Sequence, residues 1–300
     1  MTNTMQFSRH ETFFFREGWL TKGMRFVAGD NPRVFQEKNA MEQLGIGNNM
    51  VKSLRYWMQA TGLTIETGKK AQELTSFGQL VFKYDPYLED ELTLWLLHYH
   101  LITNKAMATT WYWFFNEFLF KDFDEGMLLQ NLSHWAHEEG AEMSDASLKR
   151  DVDCLISTYL PRKNEQAVDP ENNICCPLTE LGLMEAIPDG RRRRIRLTQV
   201  DVKKIPLEAF LYVLFDQLGE REQGELCYLD IEQLLSGCGQ LGKVFLLGLG
   251  ELIAVLEKLQ EAGWLHVLKT AGLNQISLRY TEDWETIAAR YYTERFGRQG

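Results

Sequence analysis

Apolar residues follow a helical period in some segments of the chain and a strand-like alternation in others. Residues 31–62 predict short helices and a longer amphipathic one that ends near Gly62, with a polar turn at 46–49. Residues 63–85 alternate like two strands, with the basic stretch 67–72 between them. Helix, turn, helix and a basic-tipped hairpin form the outline of a winged helix-turn-helix.

The same outline recurs in residues 123–199. Two segments, 123–140 and 144–160, predict helices with apolar stripes, and a polar loop follows them. Residues 175–199 then predict a hairpin that turns at Pro188, Asp189 and Gly190, because this tripeptide is a typical turn sequence.

A third repeat of the outline begins near residue 205. It combines predicted helices with a hairpin at 264–278 that turns at Ala271 and Gly272. These helices cover residues 206–220, 229–237, 245–263 and 282–296. Between the first two repeats, residues 89–120 are helical and apolar almost all round, which is typical of a helix buried on every side.

These patterns predict a mainly α fold with small β-hairpins (α+β), in which several winged helix-turn-helix modules pack around a helical core. We divide the chain into an N-terminal motif segment with the first module, the central apolar helices, a second module with an arginine-rich hairpin, and a C-terminal module. Their residues are 1–90, 91–123, 124–204 and 205–300.

Charge is unevenly distributed along the chain. The formal net charge is -10, yet seven basic residues stand against one acid between Arg191 and Lys204. An acidic chain with one basic patch is typical of a protein that contacts a polyanion at a chosen place. Because no apolar run has the length of a membrane helix and no signal-peptide pattern is present, we expect a cytoplasmic protein with reduced cysteines and no membrane partner.

Two groups of side chains are candidates for DNA contact. Strand alternation places Arg192, Arg194 and Arg196 on one side of the hairpin, with Ile195 and Leu197 facing the core. The predicted DNA-binding residues are Arg191, Arg192, Arg193, Arg194 and Arg196 in the hairpin, and Asn49, Lys52, Arg55, Lys69 and Lys70 in the first module. The alternatives are arginines that pair with the protein's own acids, and an ordinary solvated helix face that also carries Tyr56 and Gln59.

Candidate catalytic residues are Asp189, His10 and Glu11. Asp189 is suited to orienting a water or holding Mg²⁺ or Mn²⁺, although an Asp in such a turn also bonds its own backbone. His10 and Glu11 lie next to Arg9 in a segment that suits a general base with a phosphate clamp. The alternative is a buried ion-pair cluster that anchors the N-terminus.

The sequence predicts no dedicated metal site. Asp151 and Asp153 diverge by about 200° around a helix, so they cannot both bind one metal, and we expect at least one to be structural. A P-loop, a GxGxxG turn and a GxSxG elbow are absent from the sequence.

Several segments resemble a bacterial domain family of unknown function with an HETF motif. They are "FSRHETFFFREGWLTKG", "LGIGNNMVKSLRYWMQATGL", "TWYWFFN", "LKRDVDCLISTYL" and "CPLTELGLM". The matching motif positions are His10, Glu11, Thr12, Phe13, Arg16, Trp19, Lys22, Gly45, Gly47, Asn49, Met50, Val51, Arg55, Tyr56 and Trp57.

That family includes the nicking subunit of bacterial single-strand DNA phosphorothioation systems. The resemblance therefore implies a DNA-binding nickase, an endonuclease that hydrolyses a phosphodiester bond, in an anti-phage defence system that replaces a phosphate oxygen with sulfur. It also implies three partners: a cysteine desulfurase, an ATPase and an ATP-dependent sulfur-activating enzyme. The alternative is a non-catalytic winged-helix protein that binds DNA as a recruitment factor, scaffold or transcriptional regulator.

Overall fold

The structure is a computed structural model that describes residues 5–29, 31–161, 175–189, 192–219, 221–270 and 273–297. It divides into two compact units, Met1–Thr198 and Gln199–Gly300. Within the described ranges, α-helices predominate and small antiparallel sheets accompany them. The prediction of a mixed fold rich in helix is therefore confirmed, whereas the four-segment division stays a prediction.

Helices predominate in the described part of the first unit, and side chains cap the first turns of some of them. These helices are α1 (Trp19–Ala28), α2 (Ala40–Leu44), α3 (Asn48–Ala60), α4 (Ser76–Tyr84), α5 (Glu91–Thr103), α6 (Thr109–Asn116), α7 (Glu125–Glu138) and α8 (Asp145–Tyr159). The side chains of Thr75, Asp90, Asp124 and Ser144 each accept a hydrogen bond from a backbone N–H of the following helix. Such caps satisfy donors that have no partner inside the helix.

The first hairpin is shorter than the sequence predicts. Strands β1 (Thr64–Glu66) and β2 (Gln72–Leu74) pair antiparallel, but the predicted second strand is wrong beyond Leu74, because the chain continues as α4. Its buried apolar residues have helical spacing: Phe77, Leu80 and Val81. Gly78 lets α4 approach the hairpin, since a Cβ there would lie 2.0 Å from the carbonyl oxygen of Leu63.

The centre of the first unit is α5, followed by α6. Nearly every residue of α5 is buried, so the prediction of a helix that is apolar all round is confirmed. His98 is fully buried on α5, and its Nδ1 lies 2.8 Å from the hydroxyl of Tyr159 on α8. Burial raises the pKa of Tyr159, so this side chain stays a neutral member of the core.

The arginine-rich hairpin belongs to a three-stranded sheet. Strands β4 (Met184–Asp189) and β5 (Arg192–Leu197) form it, and β3 (Asp122–Phe123), which the sequence does not predict, pairs with the other edge of β5. Ile195 is fully buried while Arg194 and Arg196 are exposed, which confirms the predicted alternation at these positions. Gly190 and Arg191 lie outside the described residues, as do the side chains of Asp189, Arg192 and Arg193.

The second unit contains its own helices and sheet. Its elements are α9 (Leu207–Leu218), β6 (Leu226–Asp230), α10 (Ile231–Ser236), α11 (Leu241–Val244), α12 (Leu249–Glu261), β7 (Leu265–Thr270), β8 (Leu273–Arg279) and α13 (Trp284–Phe296). The predicted hairpin is present as β7 and β8, while β6, which pairs with β8, is not predicted by the sequence. The tip residues Ala271 and Gly272 lie outside the described residues.

Two further observations concern the length of the apolar helices and the state of the cysteines. In the ranges that the structure describes, no single helix is long and apolar enough to cross a membrane. The segments Ile231–Val244 and Leu249–Glu261, which are bent relative to each other, reach the required length and composition only when they are taken together. The cysteines are free thiols: Cys154, Cys175, Cys176, Cys227 and Cys238.

Candidate functional site

A cavity of about 460 Å³ lies where the N-terminal segment 5–16 passes α3. Its lining includes Arg9 and Glu11 from the N-terminal segment and Lys52 and Arg55 from α3. The structure thus brings together Glu11, Lys52 and Arg55, which the sequence assigns to two separate functions. We call this space the α3 cavity.

Asp151 on α8 holds the N-terminal segment in place. Its carboxylate accepts hydrogen bonds from the backbone N–H of Ser8 at 3.0 and 3.1 Å and from Nε2 of His10 at 2.7 Å. Both His10 and Asp151 are buried. Asp151 therefore has a structural role, as the sequence predicts for one member of the Asp151–Asp153 pair.

His10 is bonded at both of its ring nitrogens. Nδ1 accepts a hydrogen bond from the backbone N–H of Thr12 at 3.2 Å, so Nε2 carries the ring hydrogen and donates it to Asp151. The ring is also enclosed by aromatic side chains, with centroids 5.8 to 6.4 Å away: Tyr56, Trp57 and Trp111. This geometry favours the buried-anchor interpretation of His10, and its predicted catalytic role stays a prediction.

The loop around His10 is held in an unusual backbone conformation. Ser8, Glu11 and Thr12 have φ values of 57°, 51° and 69°, which side-chain-bearing residues rarely adopt. The carbonyl of Phe13 accepts hydrogen bonds from Nε1 of Trp57 at 2.8 Å and, more weakly, from the Ser53 hydroxyl at 3.3 Å. Because several contacts fix the loop, Glu11 lines the cavity in one defined backbone conformation.

The outer face of α3 carries the predicted DNA-contacting residues. Asn49 and Lys52 are exposed, while Arg55 is half-buried and forms an ion pair with Glu66 of β1. Burial lowers the pKa of the Arg55 guanidinium. Tyr56 also lines the cavity on this face of α3, but its ring is buried and packs against His10, so it is not part of a solvated face.

The structure describes the tip of the first hairpin of the first unit more completely than the tip of the second. Lys69 and Lys70 are exposed at the tip of the first hairpin, and both have a φ of 59°. Their side chains are therefore available to an anionic partner. Asp189 of the second hairpin pairs with Arg192 through the backbone, and Arg191 lies outside the described residues.

Arg196 is paired with an acid of the protein itself. Its Nε and Nη2 donate to the two carboxylate oxygens of Asp122 at 2.7 and 3.1 Å. These hydrogen bonds lower the pKa of Asp122 and raise that of Arg196. For this one arginine, pairing with an acid of the protein itself is observed and holds β3 beside β5, while its contact with DNA stays a prediction.

The cavity also contains residues that the sequence-based site does not include. Gln6, Arg9, Gln59 and Glu66 line it. The signals for two of them are local: Arg9 precedes His10, and Gln59 follows Arg55 by one helical turn. In the described part of the chain, no group of three or more His, Cys, Asp or Glu residues is placed to bind a metal ion.

The fold and the site define a protein of mixed helices and small antiparallel sheets, rich in helix. Its first unit carries a charged cavity and two basic hairpins. The chain belongs to the family "Protein of unknown function (DUF4007)", whose model matches residues 7–292. This membership confirms the family resemblance found in the sequence. A comparison with curated protein sequences gave no significant match.

Two crystal structures are similar to the protein over almost its whole length. One is described as "Magnesium ion-bound SspB" and has a TM-score of 0.82 at 28% sequence identity. The other is described as "SspB" and has a TM-score of 0.81 at 28% identity. Each alignment covers 99% of this chain and 90% of the other chain, so the protein is SspB-like in both units.

Proposed function

We propose that the protein binds DNA and nicks one strand as part of a phosphorothioation-based DNA modification and anti-phage defence system. Its partners there are a cysteine desulfurase, an ATPase and an ATP-dependent sulfur-activating enzyme, and it acts in the cytoplasm. The likeness to SspB over 99% of the chain supports this assignment. The observation that carries it is the α3 cavity, which collects basic side chains on a chain of net charge -10.

The charge and exposure of side chains in the first unit support DNA binding. The α3 cavity is lined by three cationic side chains, Arg9, Lys52 and Arg55, against two carboxylates, Glu11 and Glu66. The exposed lysines at the first hairpin tip extend the basic surface. We assign α2, α3 and the hairpin β1–β2 to a winged helix-turn-helix, in which α3 approaches the groove and the tip meets phosphates.

Nicking hydrolyses one phosphodiester bond: a water oxygen attacks phosphorus, the bond to one ester oxygen breaks, and that oxygen takes a proton. Glu11 is the carboxylate of the N-terminal segment in the cavity, so we assign it to accept the proton of the attacking water. Arg9 and Lys52 stabilise the negative charge that develops on the phosphate. His10 positions this loop from the interior. Asp189 is the second candidate for the base.

A divalent ion, Mg²⁺ or Mn²⁺, is part of the proposal, since one similar structure is described as magnesium ion-bound. The α3 cavity does not fit such an ion. Magnesium prefers carboxylate oxygens and water, whereas Glu66 is already paired with Arg55 and cations outnumber carboxylates in the lining. We therefore assign any ion to carboxylates outside the cavity, with Asp189 as the predicted candidate.

The second candidate function is a non-catalytic DNA-binding or scaffold protein. The observation that favours it is the burial of His10, whose two ring nitrogens are both engaged inside the protein. In this arrangement His10, one of the general-base candidates of the sequence, does not reach a substrate. The anchored loop then only shapes a binding surface.

A plasmid assay separates the two functions. Supercoiled plasmid is incubated with the full chain, with and without Mg²⁺ or Mn²⁺, and open-circle DNA is quantified on a gel. We expect nicking that Glu11→Gln reduces at least about 100-fold, as is typical for loss of a general base. Glu17→Gln is the matched control, because Glu17 lies exposed in the same stretch of chain, away from the cavity lining.

Each outcome of this assay has a defined meaning. Retained DNA binding without nicking under any metal condition supports the scaffold function. Nicking that survives both Glu11→Gln and Asp189→Asn keeps the nickase assignment and rejects both candidate bases. Absence of DNA binding rejects both functions.

A further inference from the structure

The α3 cavity combines groups that suit a phosphate with groups that suit a nucleobase. We propose that it holds one nucleotide of a DNA strand, with the phosphate bound by Arg9 and Lys52 and the base bound by the side-chain amides of Gln6 and Gln59. This inference rests on the proposed DNA binding and deepens it, because it adds a site for a base to contacts with the backbone.

The size and lining of the cavity fit a single nucleotide. Its volume of about 460 Å³ lies within the range of roughly 300–1,000 Å³ that is usual for small-molecule sites. Phe35 and Met107 contribute apolar surface to the lining. Aromatic side chains stack on bases of any identity, so the half-buried ring of Phe35 gives the base an apolar neighbour.

We assign the phosphate to the cations of the lining that have little engagement elsewhere. Arg9 is exposed and forms no hydrogen bond or ion pair with any residue that the structure describes. Lys52 is exposed and forms a single weak contact, with Oδ1 of Asn49 at 3.4 Å. Arg55 differs from both, because Glu66 already neutralises it. Arg9 and Lys52 are therefore the residues available to a phosphate.

We assign the base to the two side-chain amides of the lining, Gln6 and Gln59. Gln6 and Gln59 are half-buried, and their side-chain amides form no hydrogen bond within the described ranges. A glutamine amide offers a donor and an acceptor side by side, which is the pattern that pairs with the edge of a base.

Contacts inside the first unit hold two walls of the cavity. Asp151 fixes the N-terminal segment from α8, and Trp57 and Ser53 of α3 both bond to the carbonyl of Phe13. Gln59 lies on the same helix as Trp57. Preorganised walls of this kind reduce the entropy that binding costs.

The test compares a single-stranded oligonucleotide of mixed sequence with a base-free oligomer of the same length, in which every sugar carries a hydrogen instead of a base. Both present the same number of phosphates to the full chain, and fluorescence anisotropy gives the two Kd values. We expect the base-bearing strand to bind at least about fivefold more tightly, which corresponds to one paired base edge. Gln59→Ala should reduce this ratio towards one without changing the Kd of the base-free oligomer.

Gln130→Ala is the matched control, because Gln130 is an exposed glutamine on α7 outside the cavity lining. Arg9→Gln and Lys52→Gln should weaken both oligomers equally. A ratio of one for the unaltered chain overturns the inference while DNA binding stands. A high ratio that Gln59→Ala and Gln6→Ala both leave unchanged places the base elsewhere and also overturns it. Failure to bind either oligomer rejects the proposed function itself.

Discussion

Replacing Asp151 with alanine tests whether this residue anchors the N-terminal segment. The substitution removes the acceptor for Nε2–H of His10 and for the backbone N–H of Ser8, in a site where both His10 and Asp151 are buried. A hydrogen bond to a charged group contributes about 1.5–3 kcal/mol, and a buried donor without a partner costs a similar amount. For two lost bonds we expect the free energy of unfolding to fall by about 3–5 kcal/mol.

Urea unfolding of the full chain, followed by tryptophan fluorescence, measures this loss. Two of the eight tryptophans, Trp57 and Trp111, pack around His10, so part of the emission comes from the affected site. The matched control is Asp153→Ala on the same helix. Asp153 forms an exposed ion pair with Lys149 four residues earlier, a contact that contributes only about 0.3–0.5 kcal/mol.

Hydrogen exchange separates local release of the segment from global loss of stability. In Asp151→Ala the amide of Ser8 should exchange much faster, because its only acceptor among the described residues is the Asp151 carboxylate. Asp151→Asn retains one acceptor oxygen, so its Ser8 amide should exchange at a rate between those of the unaltered chain and Asp151→Ala. Equal unfolding free energies for Asp151→Ala and Asp153→Ala, with unchanged exchange at Ser8, would refute the anchoring role.

Three further predictions concern other parts of the first unit. Gly78→Ala should lower the unfolding free energy by about 1–3 kcal/mol in urea titrations, because the new Cβ meets backbone. Gly126→Ala should cost less, because its Cβ meets only the side-chain oxygen of Asp124, at 3.3 Å. Asp122→Asn should release Arg196 to bind a phosphate of duplex DNA. The plot of log K for DNA binding against log salt concentration should then become steeper, with a slope that changes by up to about 0.9. An unchanged slope means that Arg196 does not reach phosphate. Cys154, whose pKa burial raises, should resist iodoacetamide at pH 8 until urea unfolds the chain, as peptide mass spectrometry can show.

The local pattern of apolar and polar residues predicts much of this fold, because the buried faces of a helix or strand require apolar side chains at regular positions. The alternation in β5 correctly separates buried Ile195 from exposed Arg194, and the uniform apolarity of α5 correctly predicts its burial. The same reasoning fails for α4, because a short apolar run is ambiguous between helix and strand. A threonine N-cap and the close approach at Gly78 decide for the helix.

The candidate site is less predictable, because contacts distant in sequence create it. His10 and Asp151 are 141 positions apart, and Asp122 and Arg196 are 74 apart. No periodicity within a segment indicates such a pair. Tyr56 is an example. Helical spacing places it on the polar face of α3, whereas the structure buries its ring against His10 of the N-terminal segment. The family resemblance marks the HETF segment as important without assigning any of its residues to the interior.

The contacts of the α3 cavity also limit what a fragment of the chain can form. The predicted segment 1–90 contains most of the lining, but Met107 belongs to the connection between α5 and α6, and the anchor Asp151 belongs to α8. Without Asp151, the N–H of Ser8 and Nε2 of His10 lose their acceptor, and the strained conformations at Ser8, Glu11 and Thr12 lose the contacts that stabilise them. The cavity is therefore a property of the whole first unit. A fragment with only α2, α3 and the β1–β2 hairpin would keep Lys52 and the hairpin lysines but not the cavity in which Arg9 and Glu11 meet α3.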